Sequence, residues 1–138
     1  MNTYTILTVK KTIIVLVILL SYQILNTKNC IADSHNLLAS YYSVNSLKRE
    51  GTWKHSKGVM ANGKQFNDNN LTCATRLFSL GSMLRITNLE NGKSVVVEVT
   101  DRIGKRFAQT RIDLSKLAFS RIADLSQGIV PIKVEVLK

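Results

Sequence analysis

Apolar and polar residues alternate over three stretches of the chain. Met83 to Asn88 changes character at every second position. Ser94 to Thr100 is rich in valine. Ile129 to Leu137 puts Ile132, Val134 and Val136 on one face with Lys133 and Glu135 on the other. A period of two is the signature of a half-buried strand. Glu90-Asn91-Gly92-Lys93 carries an Asn-Gly turn between the first two stretches, so residues 83–100 predict a β-hairpin. Leu37 to Tyr42 reads as an earlier strand. Leu114, Leu117, Ala118, Ile122 and Leu125 fall at helical spacing and predict a short amphipathic helix. Asp113 or Ser115 would cap that helix, and Ser126-Gln127-Gly128 would end it. Pro131 fits an edge or the start of the last strand. Ser43 to Asn70 follows neither period and predicts a long connection with one or two short elements. A connection of that length in a small domain is more often functional than idle. There is no tandem repeat. Strands with one or two short helices predict a small, mostly β barrel.

The first residues read differently. Lys10-Lys11 precede the apolar run Ile13 to Leu20, and Ser21, Tyr22 and Gln23 interrupt it. A membrane span needs roughly 20 apolar residues. A basic region followed by a short apolar one reads instead as a secretory signal. Cys30-Ile31-Ala32 places small residues where a signal peptidase needs them, so residues 1–32 are expected to be the signal peptide. Residues 33–36 are a short polar lead, and 37–138 form one domain. Membrane contact would come only through an uncleaved signal or lipidation at Cys30. Lys28-Asn29 before that cysteine do not resemble a lipoprotein signal.

The chain has 138 residues with 19 Lys plus Arg against 9 Asp plus Glu, a formal net charge of +10. On an exported protein, a basic surface suits an anionic partner such as a wall polymer or membrane surface, and equally simple solubility. Export argues against nucleic acid as a partner. The two cysteines, Cys30 and Cys73, would be parted by cleavage, and Cys73 reads as a small buried residue. Two His and two Cys without ligand spacing give no zinc site. There is no glycine-rich phosphate loop and no Gly-x-Ser-x-Gly elbow. No cofactor or metal is expected.

Carboxylates remain. Asp101 ends a strand that should be buried, where backbone can hold an acid in fixed geometry, and Arg102 follows it. Desolvation could let it keep a proton near neutral pH. Equally, it could pin the strand exit through Arg102 or backbone. Asp113 reads first as a helix cap. Tyr41, Tyr42 and Trp53 could form a sugar-stacking surface or belong to the core. Arg76, Arg85, Arg106 and Arg111 could bind anionic groups or form a solvated face.

Several linked motifs then carry a family resemblance. They are Ala39-Ser40-Tyr41-Tyr42, Met60-Ala61-Asn62-Gly63-Lys64-Gln65-Phe66-Asn67, Leu71-Thr72-Cys73-Ala74 with Leu80-Gly81-Ser82, Arg85 to Val97, Thr100-Asp101-Arg102, and Ile112-Asp113-Leu114-Ser115. In this order they resemble the rare lipoprotein A (RlpA-like) family over about residues 37–138. The resemblance implies a six-stranded double-psi β-barrel. It also implies an exported, wall-associated lytic transglycosylase that cuts MurNAc–GlcNAc β-1,4 bonds in glycan strands poor in stem peptides, leaving 1,6-anhydro ends. Asp101 takes the catalytic position. Tyr41, Tyr42, Lys64, Thr75, Arg102 and Arg111 are carried over as substrate-binding positions. Lys64 and Thr75 stand where active members have Glu and His, and Ile103-Gly104 replaces a Gly-Pro. Peptidoglycan glycan strands are the implied partner, with cell-division or wall-synthesis proteins as further candidates. The alternative is a non-catalytic, expansin-like wall-binding module, or an interaction or inhibitor domain on the same barrel.

Overall fold

The computed structural model describes residues 37–137. The expected signal segment, its expected cleavage point after Ala32, Cys30 and the expected polar lead lie outside the described residues. Six strands form the frame: β1 (Leu38–Tyr42), β2 (Thr72–Ala74), β3 (Met83–Asn88), β4 (Ser94–Asp101), β5 (Arg111–Ser115) and β6 (Ile129–Leu137). They close into a barrel in the order β1-β5-β2-β4-β3-β6. Closure removes the sheet edges that would otherwise pair with other chains. The pairs β1–β5 and β2–β4 are parallel, while β2–β5, β3–β4, β3–β6 and β1–β6 are antiparallel.

The alternation seen in the sequence sets which side chains fill the barrel. Leu84 and Ile86, Val97 and Val99, Ile112 and Leu114, and Val130, Ile132 and Val134 all lose their solvent exposure completely. The predicted hairpin is present. Gly92 adopts φ 71°, its N–H donates to the Asn88 carbonyl, and the Asn88 N–H donates to the Lys93 carbonyl. Pro131 is the third residue of β6 and lies on no edge. Its carbonyl accepts from the Leu89 N–H at 3.0 Å.

The long connection folds into α1 (Val44–Arg49) and α2 (Thr52–Ser56), followed by a small hairpin closed by the Val59–Gln65 bridge. With α3 (Lys116–Ser120) the domain has three short α-helices, one more than expected, and two 3-10 turns at Lys105–Phe107 and Leu125–Gln127. Ser43 caps α1 through a reciprocal pair with Ser46.

The predicted helix over 114–125 is corrected. Residues 111–115 are a strand, because pairing with β1 buries Ile112 and Leu114 fully inside the barrel. Ser115 caps the five-residue α3 by accepting from the Ala118 N–H at 3.3 Å. Asp113 is mid-strand and caps nothing. Beyond Arg121 the helical spacing gives way to a separate turn capped by Asp124. Phe119 and Ile122 still reach the barrel core.

Candidate active site

Asp101 sits at the end of β4, and an extra residue in β4, Thr100, decides which way it faces. The β2–β4 register shifts between Cys73, which pairs with Val99, and Ala74, which pairs with Asp101. Strict alternation would align Asp101 with Val97 and Val99, which point into the barrel. The bulge re-aims it outward. Ala74 also pairs with Asp113 on β5, and Asp113 pairs with Ser40 on β1. Asp101, Ala74, Asp113 and Ser40 therefore form one row across four strands. Two interstrand spacings separate the Cα atoms of the two acids by about 10 Å. Ala74 between them is only 5% exposed and packs with Tyr42, Met60, Phe66 and Ile103.

The backbone fixes Asp101 from two sides. Its Oδ1 accepts from the Ala61 N–H at 3.0 Å and from the Arg102 N–H at 2.8 Å. Its carbonyl accepts from the Thr75 N–H at 3.1 Å. Because N–H groups can only donate, Oδ1 is filled as an acceptor and only Oδ2 is left for other chemistry.

Asp113 was not singled out as a site residue by the sequence reading. It is half-buried, and its Oδ1 accepts a hydrogen bond from the Ser40 hydroxyl. Burial pushes its carboxyl above the usual carboxylate range. The Ser40 hydrogen bond and the nearby Arg111 pull the other way, and Glu50 adds a small push upward. The available signal was the polar-apolar alternation of Arg111-Ile112-Asp113-Leu114-Ser115, which competed with the helical spacing that starts at Leu114.

The same face holds unsatisfied polar groups. Among the described residues, the Tyr42 hydroxyl, the Thr72 hydroxyl and the Arg111 Nε are buried without a hydrogen-bond partner. Each such group costs stability, and in a native fold each calls for an explanation. Burial raises the Tyr42 phenol first, and the nearby Asp101, Cys73 and Asp113 raise it further; the Thr72 hydroxyl, close by but outside hydrogen-bond geometry, pulls only weakly the other way, so the phenol stays neutral. The Arg111 guanidinium lies 4.3 Å from the Phe107 ring centroid. A second small core of Tyr42, Met60, Phe66, Ala74 and Ile103 packs beneath this face and supports it.

Several expected substrate contacts are corrected. The Tyr42 ring is only 8% exposed and stacks on Phe66 at 4.4 Å, so it offers no platform to a sugar. Tyr41 points to the opposite side of β1 and packs on Phe119. Thr75 is fully buried, and its hydroxyl accepts from the Leu77 N–H, so it cannot touch a glycan. Arg102 neither pairs with Asp101 nor stands free. Its Nη1 donates to the Thr75 and Phe78 carbonyls, each at 2.7 Å. Trp53 is half-buried on α2 with the Lys48 Nζ over its ring. Lys64 is exposed on the hairpin that supplies the Ala61 N–H. Of the expected site residues, Asp101, Tyr42 and Arg111 share the face with Asp113. Among the described residues, no group of three or more His, Cys, Asp or Glu is arranged to hold a metal ion.

Fold and face together define a double-psi β-barrel protein with two carboxyl groups on one outer row. Residues 34–134 match the family model described as lytic transglycolase, and the chain belongs to that family. It is 39% identical over 107 residues to the endolytic peptidoglycan transglycosylase RlpA of Campylobacter jejuni, covering 78% of this chain and 35% of that protein. It is 36% identical over 96 residues to RlpA of Pseudomonas aeruginosa, covering 70% of this chain and 28% of that protein. The chain thus spans about a third of these RlpA relatives. A shorter, uncharacterized Synechocystis protein is 41% identical over 75 residues, covering 54% of this chain and 78% of its own length. Among solved structures, Streptomyces papain inhibitor superposes with a TM-score of 0.58 at 21% identity, covering 79% of this chain and 98% of that one. A Clavibacter michiganensis expansin variant bound to cellohexaose gives 0.53 at 20%, covering 74% and 49%. At these identities the structural matches speak for the fold alone.

Proposed function

We propose that this domain is an exported lytic transglycosylase that acts on peptidoglycan glycan strands in the cell wall. It cuts MurNAc–GlcNAc β-1,4 bonds in strands stripped of stem peptides and leaves 1,6-anhydro ends. The observation that carries the reading is Asp101, turned out of the barrel by the β4 bulge at Thr100 and fixed by two backbone N–H groups in a member of this family. The reaction needs a proton delivered to the leaving O4 and a proton removed from the C6 hydroxyl that attacks C1. In its simplest form one carboxyl group does both. No water has to be activated, so a hydrolase's water-activating base is dispensable. The +10 formal charge of the full chain suits an anionic polymer.

The expansin-like alternative relied on an aromatic platform. Tyr42 is buried and Tyr41 faces the core, which leaves that reading Trp53, half-buried under Lys48, and the basic residues. Lys64 and Thr75, which stand where active members have Glu and His, both lie close to Asp101 in the fold: Lys64 is exposed on the hairpin that supplies the Ala61 N–H, and the buried Thr75 donates its N–H to the Asp101 carbonyl.

The test is incubation with stem-peptide-free peptidoglycan, followed by mass spectrometry for 1,6-anhydro products. Wild-type protein should yield them, and Asp101→Asn should lose them while still pelleting with the wall. A wild type that pellets but releases nothing would sink the enzyme reading.

A further inference from the structure

The row Asp101–Ala74–Asp113–Ser40 carries a second carboxyl group that the single-acid scheme leaves idle. We propose that Asp113 is a further catalytic residue: it donates the proton to the leaving O4, while Asp101 takes the proton from the C6 hydroxyl. This rests on the transglycosylase reading above and divides its two proton transfers between two residues.

Three observations converge. The pairing Asp101–Ala74–Asp113 puts both acids on one outer face across the smallest chiral side chain. With Cα atoms about 10 Å apart, the two side chains are near enough for their carboxyl groups to flank a glycosidic bond, as paired carboxyls roughly 5 to 9.5 Å apart do in glycosidases. Their surroundings also differ. Asp101 has Oδ1 filled by two backbone donors, leaving Oδ2 as an acceptor. Asp113 is held by a single hydroxyl donor, Ser40, and its burial favours the neutral, proton-bearing form. Paired carboxyls whose environments differ in this way take opposite acid and base roles. Asp113 also earns no place as a cap, since it lies mid-strand, and among the described residues no ion pair engages it.

The step balances. The C6 oxygen forms its bond to C1 as the C1–O4 bond breaks, and the bonding electron pair leaves with O4. The Asp113 proton goes to O4, and the O6 proton goes to Asp101 Oδ2. Asp113 is left ionised and Asp101 protonated. Exchange with solvent restores both after product leaves.

The test compares two substrates: stem-peptide-free glycan, and a glycan oligomer with 4-nitrophenol on its terminal MurNAc C1. Nitrophenolate leaves without protonation. Asp113→Asn keeps the size and the Ser40 acceptor. It should lower cleavage of the natural glycan by about 100-fold or more, the usual contribution of a general acid, and release of nitrophenol by less than about 10-fold. Asp101→Asn should lower both together. Ser40→Ala keeps the carboxyl but frees it. It should shift the same ratio in the same direction by a smaller factor, and it decides the matter if Asp113→Asn does not fold. Equal losses on both substrates, or no loss on either, in a folded variant would overturn the assignment of Asp113. If wild type cleaves neither substrate, the transglycosylase reading itself fails.

Discussion

The Ala61 N–H donates to Asp101 Oδ1 at 3.0 Å, tying the end of β4 to a hairpin forty residues earlier in the chain. The neighbouring Asn62 N–H donates to the Thr100 carbonyl at 3.1 Å, and the Thr100 hydroxyl meets the Met60 sulfur. The 58–66 segment is therefore part of the site's scaffold, although it looks like surface loop in the sequence. A carboxylate aimed by backbone donors stays aimed only while that backbone is in place.

Gly58 is where this scaffold can be broken at a distance. It adopts φ 74°, and a Cβ there would stand 2.4 Å from the Trp53 ring and 2.5 Å from Gln65 Nε2. Gly58→Ala thus combines left-handed backbone strain with overpacking, each costing on the order of 1–3 kcal/mol. The melting temperature should fall by roughly 5 °C or more. Glycan cleavage should fall further than the lost stability alone would predict, because Ala61 moves with the hairpin. An unchanged melting temperature would mean that Trp53 swings aside freely.

Arg102 holds the opposite bank. One guanidinium nitrogen bridges the Thr75 and Phe78 carbonyls, while Arg76 Nε reaches the Ile103 carbonyl at 2.7 Å. Hydrogen bonds from a charged donor are worth about 1.5–3 kcal/mol. Arg102→Ala should shift the urea midpoint by about 2 kcal/mol of stability and speed hydrogen exchange at residues 75–81. Arg102→Lys should recover part of the loss. If Arg102→Lys left stability intact yet abolished glycan binding, the residue would be a substrate contact after all.

How far the sequence revealed this arrangement depends on how local each signal was. The β3–β4 hairpin and β6 were legible because alternation and an Asn-Gly turn act within a few residues. The row of Asp101 was only half legible. Its outward aim depends on a bulge at Thr100 of β4, and the register that creates it is set by pairing with β2 more than twenty residues away. Asp113 is hidden because Leu114 belongs both to the alternation of Arg111 to Ser115 and to the helical spacing of Leu114, Leu117, Ala118 and Ile122, and only pairing with β1 and β2 selects the strand. Tyr42 and Thr75 matched the family motif at the level of position. Their burial is a tertiary fact, set by Phe66 stacking and by the turn at Leu77.

Cys73 gives an independent check on the barrel interior. It is fully buried in β2, and burial first, then Asp113, pushes its thiol up to about 12. The reactive species is the thiolate, so the folded domain should resist alkylation at pH 8. Peptide mapping should find Cys73 modified only after denaturant is added. Cys73→Ser would bury a hydroxyl among apolar neighbours and should cost about 1–3 kcal/mol. Rapid native labelling at Cys73 would show that β2 opens readily.

The acid proposed to do chemistry should also cost the fold stability, and the sign can be worked out. The Asp113 pKa is raised above its ordinary value of 3.8, chiefly by burial. Between 3.8 and the raised value, the native carboxyl keeps a proton that the unfolded chain has lost. The native state binds more protons there, so stability falls as pH rises through that window and stays reduced above it. Asp113→Asn cannot ionise and avoids the penalty. At pH 7 the variant should therefore melt at a higher temperature than wild type while losing cleavage of natural glycan. The difference in melting temperature should shrink as pH falls and vanish below the ordinary carboxylate value, where both side chains are neutral. Such a pairing of lost activity with gained stability is expected of a desolvated functional acid. If Asp113→Asn instead destabilised the domain equally at pH 3 and pH 7, the carboxyl would be a structural hydrogen-bond acceptor for Ser40, with no ionisation cost attached to it.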